Sequence, residues 1–150
     1  MVKNFLILIL LLCSCSKNYR NRTLNLDEYT IDMLQSGYLQ GAFTIKDVVD
    51  NYLSNINNID KSGPKLNSII TINPDARDIA DSLDKKLLTI KNISPLYGIP
   101  VILKDNIDTN DKMPTTAGSR ILKDSYPISD SWITKRLKES GAIIIGKANL

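Results

Sequence analysis

Val101-Ile102-Leu103-Lys104-Asp105-Asn106-Ile107-Asp108 opens a stretch, running on to Ile145, whose reading decides the fold. The apolar triplet Val101–Leu103, entered from the loop-like Pro95–Pro100, predicts a buried strand. Polar residues from Lys104 to Arg120, rich in Asp, Asn, Thr and Gly, predict a long loop. Loops of that length in a folded domain are more often functional than idle. Asp130 to Ser140 reads as a helix ended by Gly141, and Ala142 to Ile145 as a second buried strand. Strand, loop, helix, strand is a βαβ unit, which implies an α/β fold with a parallel or mixed sheet and a right-handed crossover. In such sheets the chemistry collects at the carboxyl ends of strands, where Lys104 leaves the first of the two. The closing apolar run is expected to leave an open edge at the end of the sheet.

Working back toward the N-terminus, Ser62-Gly63-Pro64 punctuates the chain between two segments with helical periodicity. Ahead of it, Thr44 and Asp47 form a variant of the capping box. Ile45, Val48, Val49, Tyr52, Leu53, Ile56 and Ile59 then recur on one face, predicting a helix over 44–59 with a core-facing stripe. A shorter helix is predicted from Asp27 to Ser36, stopped at Gly37. Behind the breaker, Leu66 to Ile72 is rich in β-branched residues and reads as a strand. Asn73-Pro74 then reads as an N-cap with proline at the first helical position. Ala76, Ile79, Ala80, Leu83 and Leu87 share one face of the helix that follows.

Composition narrows the function. With 43% apolar and 23% charged residues the chain has the make-up of a globular protein. Its net charge of +3 comes from 19 basic and 16 acidic side chains spread along its length, without a basic block that asks for nucleic acid. There is no histidine. Triads built on an imidazole base and zinc sites built on histidine are therefore excluded, and no cofactor or metal is implied. Acid–base chemistry has to use carboxylates, a tyrosine, or a lysine that gives up its proton near neutrality.

The first residues read as an address. Lys3 precedes an unbroken apolar run from Phe5 to Leu12, too short to span a bilayer, which takes ~20 residues, and ordered like a secretory signal. Leu12-Cys13-Ser14-Cys15 resembles the lipobox of bacterial lipoproteins, with Cys15 as the acylated residue because Leu12 is too bulky to stand directly before an acylated cysteine. Residues 1–15 are thus expected to be a lipoprotein-type signal peptide and 16–25 a polar tether, placing the protein in a bacterial cell envelope, periplasmic or outer-membrane associated. Secretion with ordinary cleavage is the alternative.

Lys104 is the candidate catalytic residue. Desolvation at a strand end favours the neutral amine, which can then accept a proton from a hydroxyl. Pairing with Asp105 or Asp108 would leave it a structural cation. A second lysine motif, Gly141 to Gly146-Lys147-Ala148, has the spacing of a phosphate-binding loop. Yet Ala148 stands where that loop needs Ser or Thr, and three consecutive isoleucines favour extended backbone, so a strand and its turn is the better account.

From Leu96 the chain runs LYGIPVILKDNIDTNDKMPTTAGSRIL, and from Ser131 SWITKRLKESGAIIIGKANL. These segments resemble the N-terminal part of the amidase signature family, serine hydrolases that cleave carbon–nitrogen bonds of amides. The helix over 44–59 and the segment 66–74 are also similar to that family's opening elements. The resemblance implies a mixed sheet flanked by helices over residues 26–150. It also implies a Ser–cis-Ser–Lys triad in which Lys104 is the base, with an amide of a small molecule or peptide as substrate. The Gly/Ser-rich segment that carries both serines in that family lies downstream of the motif ending at Leu150, and Ser119 sits in a structural turn. The 150 residues are accordingly expected to be inactive alone. The rival expectation is a non-catalytic envelope lipoprotein that kept part of the fold.

Overall fold

A computed structural model describes residues 24–150. Four helices, α1 (Ile31–Gln40), α2 (Ile45–Asn55), α3 (Ala76–Leu87) and α4 (Trp132–Glu139), surround strands β1 (Ile69–Ile72), β2 (Pro100–Lys104) and β3 (Ile143–Ala148). The sheet order is β1-β3-β2, with β3 antiparallel to β1 and parallel to β2. This is the mixed sheet flanked by helices that the family resemblance implies. The closing run is not itself the open edge: β3 runs to Ala148 and is the central strand, paired on both sides, and the edges among the described residues are β1 and β2.

Local chemistry accounts for the ends of the helices. Thr44 Oγ1 accepts from Asp47 N at 3.0 Å and Asp47 Oδ2 accepts from Thr44 N at 2.8 Å, so the capping box at α2 is fully formed. The helix then widens into a π turn over Ile56–Ser62, and the chain breaks at Gly63 as Ser-Gly-Pro required. Thr44→Ala is expected to lower stability by about 1 kcal/mol in a denaturant titration; an unchanged midpoint would refute the cap's contribution.

Elsewhere the boundaries move, for visible reasons. Gly37 lies inside α1 and does not stop it; glycine is needed there because a Cβ would overlap the Phe43 ring. The stop is Gly41, left-handed at φ 66. The start shifts as well, to Thr30, whose side chain accepts from Met33 N at 3.2 Å. β1 begins at Ile69 and not at Leu66, since Lys65 and Asn67 adopt positive φ and Asp60 Oδ1 captures Ser68 N at 2.7 Å. Asn73 does not cap a helix starting at Pro74; its Oδ1 accepts from Asp75 N and its Nδ2 donates to Ile144 O at 2.7 Å. That tie stitches the end of β1 to the start of β3, and α3 begins two residues later. α4 starts behind Ser131, whose Oγ accepts from Thr134 N, because Asp130 is engaged by Asn110 N at 2.7 Å.

Both faces of the sheet are covered. Ile143 and Ile145 pack with Val48, Val49 and Leu53 of α2 and with Ala76 and Ala80 of α3. On the other face Ile144, Leu103 and Met113 pack with Val101, Ile107 and Leu137. Leu24 adds to the first cluster, and its carbonyl accepts from Asn51 Nδ2 at 2.6 Å.

Register along the sheet is not uniform. Val101 pairs with Ile144, but Ile102 pairs with Gly146, so β3 carries one extra residue, Ile145, against β2. A one-residue shift exchanges the faces of everything beyond it. Lys147, opposite Leu103, consequently lies on the same face as Ile144, toward the loop that contains Met113.

Candidate active site

Lys104 is the last residue of β2 and is solvent-exposed. Alternation along this strand sets its surroundings: Leu103 and Asp105 are buried, while Ile102 and Lys104 face outward. The alternative, pairing with Asp105 or Asp108, is absent among the described residues. Asp105 turns inward, away from its neighbour, and Asp108 is bound through its carbonyl, which accepts from Thr134 Oγ1 at 2.7 Å and Ser131 N at 3.1 Å.

The buried side of the strand end is densely polar. Asp105 is fully enclosed, and its Oδ2 accepts from both Thr116 N, at 3.2 Å, and Thr116 Oγ1. Its amide donates to Ala148 O and its carbonyl accepts from Ala117 N, each at 2.9 Å. Lys147 is fully enclosed as well. Its Nζ donates to Pro114 O at 3.0 Å and to Thr115 Oγ1 at 2.7 Å. Burial pushes the Lys147 ammonium below the ordinary lysine range, while the carboxylates of Asp105, Asp111 and Asp108 oppose that shift. Within the segment so gripped, Ala117 and Gly118 both take left-handed φ, 50 and 71. For alanine that conformation costs roughly 1–2 kcal/mol. Asp105 Oδ1 is buried without a hydrogen-bond partner, a further cost of about 1–3 kcal/mol. Strain and an orphaned acceptor thus meet at Asp105, the residue after Lys104, whose carbonyl holds Ala117 N.

Two residues here were undervalued in the sequence. Asp105 figured only as a counter-ion. Lys147 figured only in a phosphate-loop spacing, yet Gly141–Lys147 is turn and strand, and the amine points into protein. The signal that could have revealed it was the isoleucine run beside it, which demanded a strand covered on both faces. Ser119 behaves as expected of a turn residue: its Oγ accepts from Ile121 N at 3.3 Å and its amide donates to Thr116 O. Cys15, the expected acylation site, lies outside the described residues, as does the leader.

The family model described as Amidase matches residues 47–150. A probable amidase of Arabidopsis thaliana is 39% identical over 145 residues, covering 95% of this chain and 28% of that protein. A glutamyl-tRNA(Gln) amidotransferase polypeptide of Alkaliphilus metalliredigens is 40% identical over 128 residues, 85% of this chain and 25% of its own length. Among solved structures, the peptide amidase of Stenotrophomonas maltophilia superimposes with a TM-score of 0.80 at 35% identity, over 84% of this chain and 26% of that one. The chain belongs to the amidase family. It spans about a quarter of the length of these relatives.

Proposed function

We propose that this chain is the lysine-bearing part of an amidase that hydrolyses small-molecule or peptide amides, with Lys104 as the base of a Ser–cis-Ser–Lys triad. The observation that carries the reading is the place of Lys104: a strand's carboxyl end, free of any carboxylate partner among the described residues, inside the segment that matches the family. In the proposed reaction the Lys104 amine takes a proton from a bridging serine. That serine takes one in turn from a nucleophilic serine, which attacks the amide carbonyl. The tetrahedral oxyanion, stabilised by backbone N–H donors, collapses to an acyl-enzyme as the C–N bond breaks and the amine departs with the proton. Water then releases the carboxylic acid. The resemblance puts both serines in a Gly/Ser-rich segment of the family that lies downstream of the part matched here. The peptide amidase relative supports an amide or peptide substrate.

The test is hydrolysis of an aryl amide by the protein expressed from its native gene. Release of the arylamine supports the reading. No turnover, together with no Gly/Ser-rich segment encoded after codon 150, would favour the non-catalytic lipoprotein.

The leader supports a cell-envelope location with a lipid anchor at Cys15, and a role with tRNA does not suit an exported protein. Cys15→Ser is expected to move the protein from the membrane fraction to the soluble fraction. Unchanged partitioning would count against acylation.

A further inference from the structure

We infer that Asp105 and Lys147 are positioning residues for Lys104: buried opposite charges that grip consecutive residues of Pro114–Gly118 and fix, from behind, the strand end whose outer face presents the base. The inference rests on the amidase reading above.

Three observations carry it. The first is placement. Leu103 and Asp105 face inward on β2, and the extra residue in β3 turns Lys147 onto that same face, opposite Leu103. Lys104 lies between these two inward residues and faces the other way. The second is division of labour. Lys147 holds Pro114 and Thr115, while Asp105 holds Thr116 by side chain and Ala117 by its carbonyl. Gly118 N lies 3.1 Å from Thr116 Oγ1, closing the turn. One short segment is therefore held from two adjacent strands, by charge-assisted bonds of the stronger kind. The third is cost. Two charges are buried, Asp105 Oδ1 is left without a partner, and Ala117 is strained. Well-packed apolar residues would serve stability at least as well, so the expense is better explained by the geometry it secures at Lys104.

The lysine and the carboxylate form no direct ion pair within 4.0 Å among the described residues. The segment between them is the coupling element, and each charge compensates the other through it. Losing Lys147 leaves the Asp105 carboxylate buried without it, losing Asp105 takes away the first of three carboxylates that favour the Lys147 ammonium, and losing both removes the mismatch.

The experiment measures kcat and KM on an aryl amide for Asp105→Asn, Lys147→Met and the double variant, each expressed from the native gene beside wild type and Lys104→Ala. Each single variant is expected to lose about 10–100-fold in kcat, the scale of a small misplacement of a reacting group, with KM within about twofold of wild type. The double variant is expected to be no worse than the poorer single one. Wild-type kcat in folded single variants, loss confined to KM, or strictly multiplicative losses would overturn the inference. Should the charge variants fail to fold, Thr116→Val and Thr116→Ser decide. The serine variant, which keeps the hydroxyl donor to Asp105, must retain kcat, and the valine variant must lose it; equal behaviour refutes the clamp. Activity in Lys104→Ala would sink the amidase reading itself, whereas an inactive Lys104→Ala beside normal clamp variants would sink only the clamp.

Discussion

Lys104→Ala is expected to lower kcat/KM for an aryl amide by roughly 10²–10⁴-fold, the range over which a positioned proton-transfer group acts. Its thermal midpoint should stay close to that of wild type. The two halves of this expectation come from the same geometry. Lys104 is exposed at the end of β2 and pairs with no carboxylate among the described residues, so truncation strands no buried charge among them. Surface changes of that kind usually stay within about 0.5 kcal/mol. A structural lysine would behave in the opposite way, losing stability first and activity only as a consequence. Full activity in a folded Lys104→Ala protein would remove Lys104 from the mechanism. A large fall in stability would show that exposure misrepresents its role.

Gly146→Val carries the largest expected effect on folding. Gly146 is buried in the central strand, and a Cβ built on it would stand 2.7 Å from the carbonyl oxygen of Thr71. That oxygen belongs to the backbone of β1, which is hydrogen-bonded across the sheet and cannot swing aside as a side chain would. Relief requires β1 to move off β3. The expected loss is about 2–3 kcal/mol, or roughly 5–12 °C in Tm for a chain of this size, measured by denaturant titration and a thermal melt. The variant also separates two readings of the Gly141–Lys147 spacing. A phosphate loop would put Gly146 beside a ligand and leave the empty protein's stability untouched. A strand makes the same change a packing defect, and a midpoint within experimental scatter of wild type would refute it.

How far the sequence reached depended on the range of the interactions involved. The capping box at Thr44 and Asp47 was legible because both partners sit within one turn, and the helical stripe behind it because its period is local. The βαβ order of β2, α4 and β3 followed from an unbroken isoleucine run and a strong helix stop. Gly37 misled because glycine marks two different needs. Left-handed backbone is one, and Gly41 meets it; close approach is the other, and Gly37 meets it for Phe43, six residues on. Asn73 misled because its side chain, which looked like a local cap, also bonds Ile144, a partner 71 residues away. Lys104, which does end β2, was singled out from its strand-end position and its family motif. The inward turn of Asp105 and the burial of Lys147 were not, since both depend on a loop that folds back from residues 114–118 and on an irregular register that no periodicity reports.

That irregularity also bears on how relatives of this chain should be compared. Odd and even positions of β3 trade places at Ile145, so the count of residues between the isoleucine run and the lysine matters as much as their identity. A homologue of the same length without the bulge would aim its lysine at the α2–α3 layer, however well the letters on either side agree. Deleting Ile145 in this chain should instead restore one-to-one pairing with β2 and leave the lysine opposite Leu103. An alignment gap at this point therefore removes the bulge without turning the lysine, and residue roles should be carried across it only after the strand has been counted.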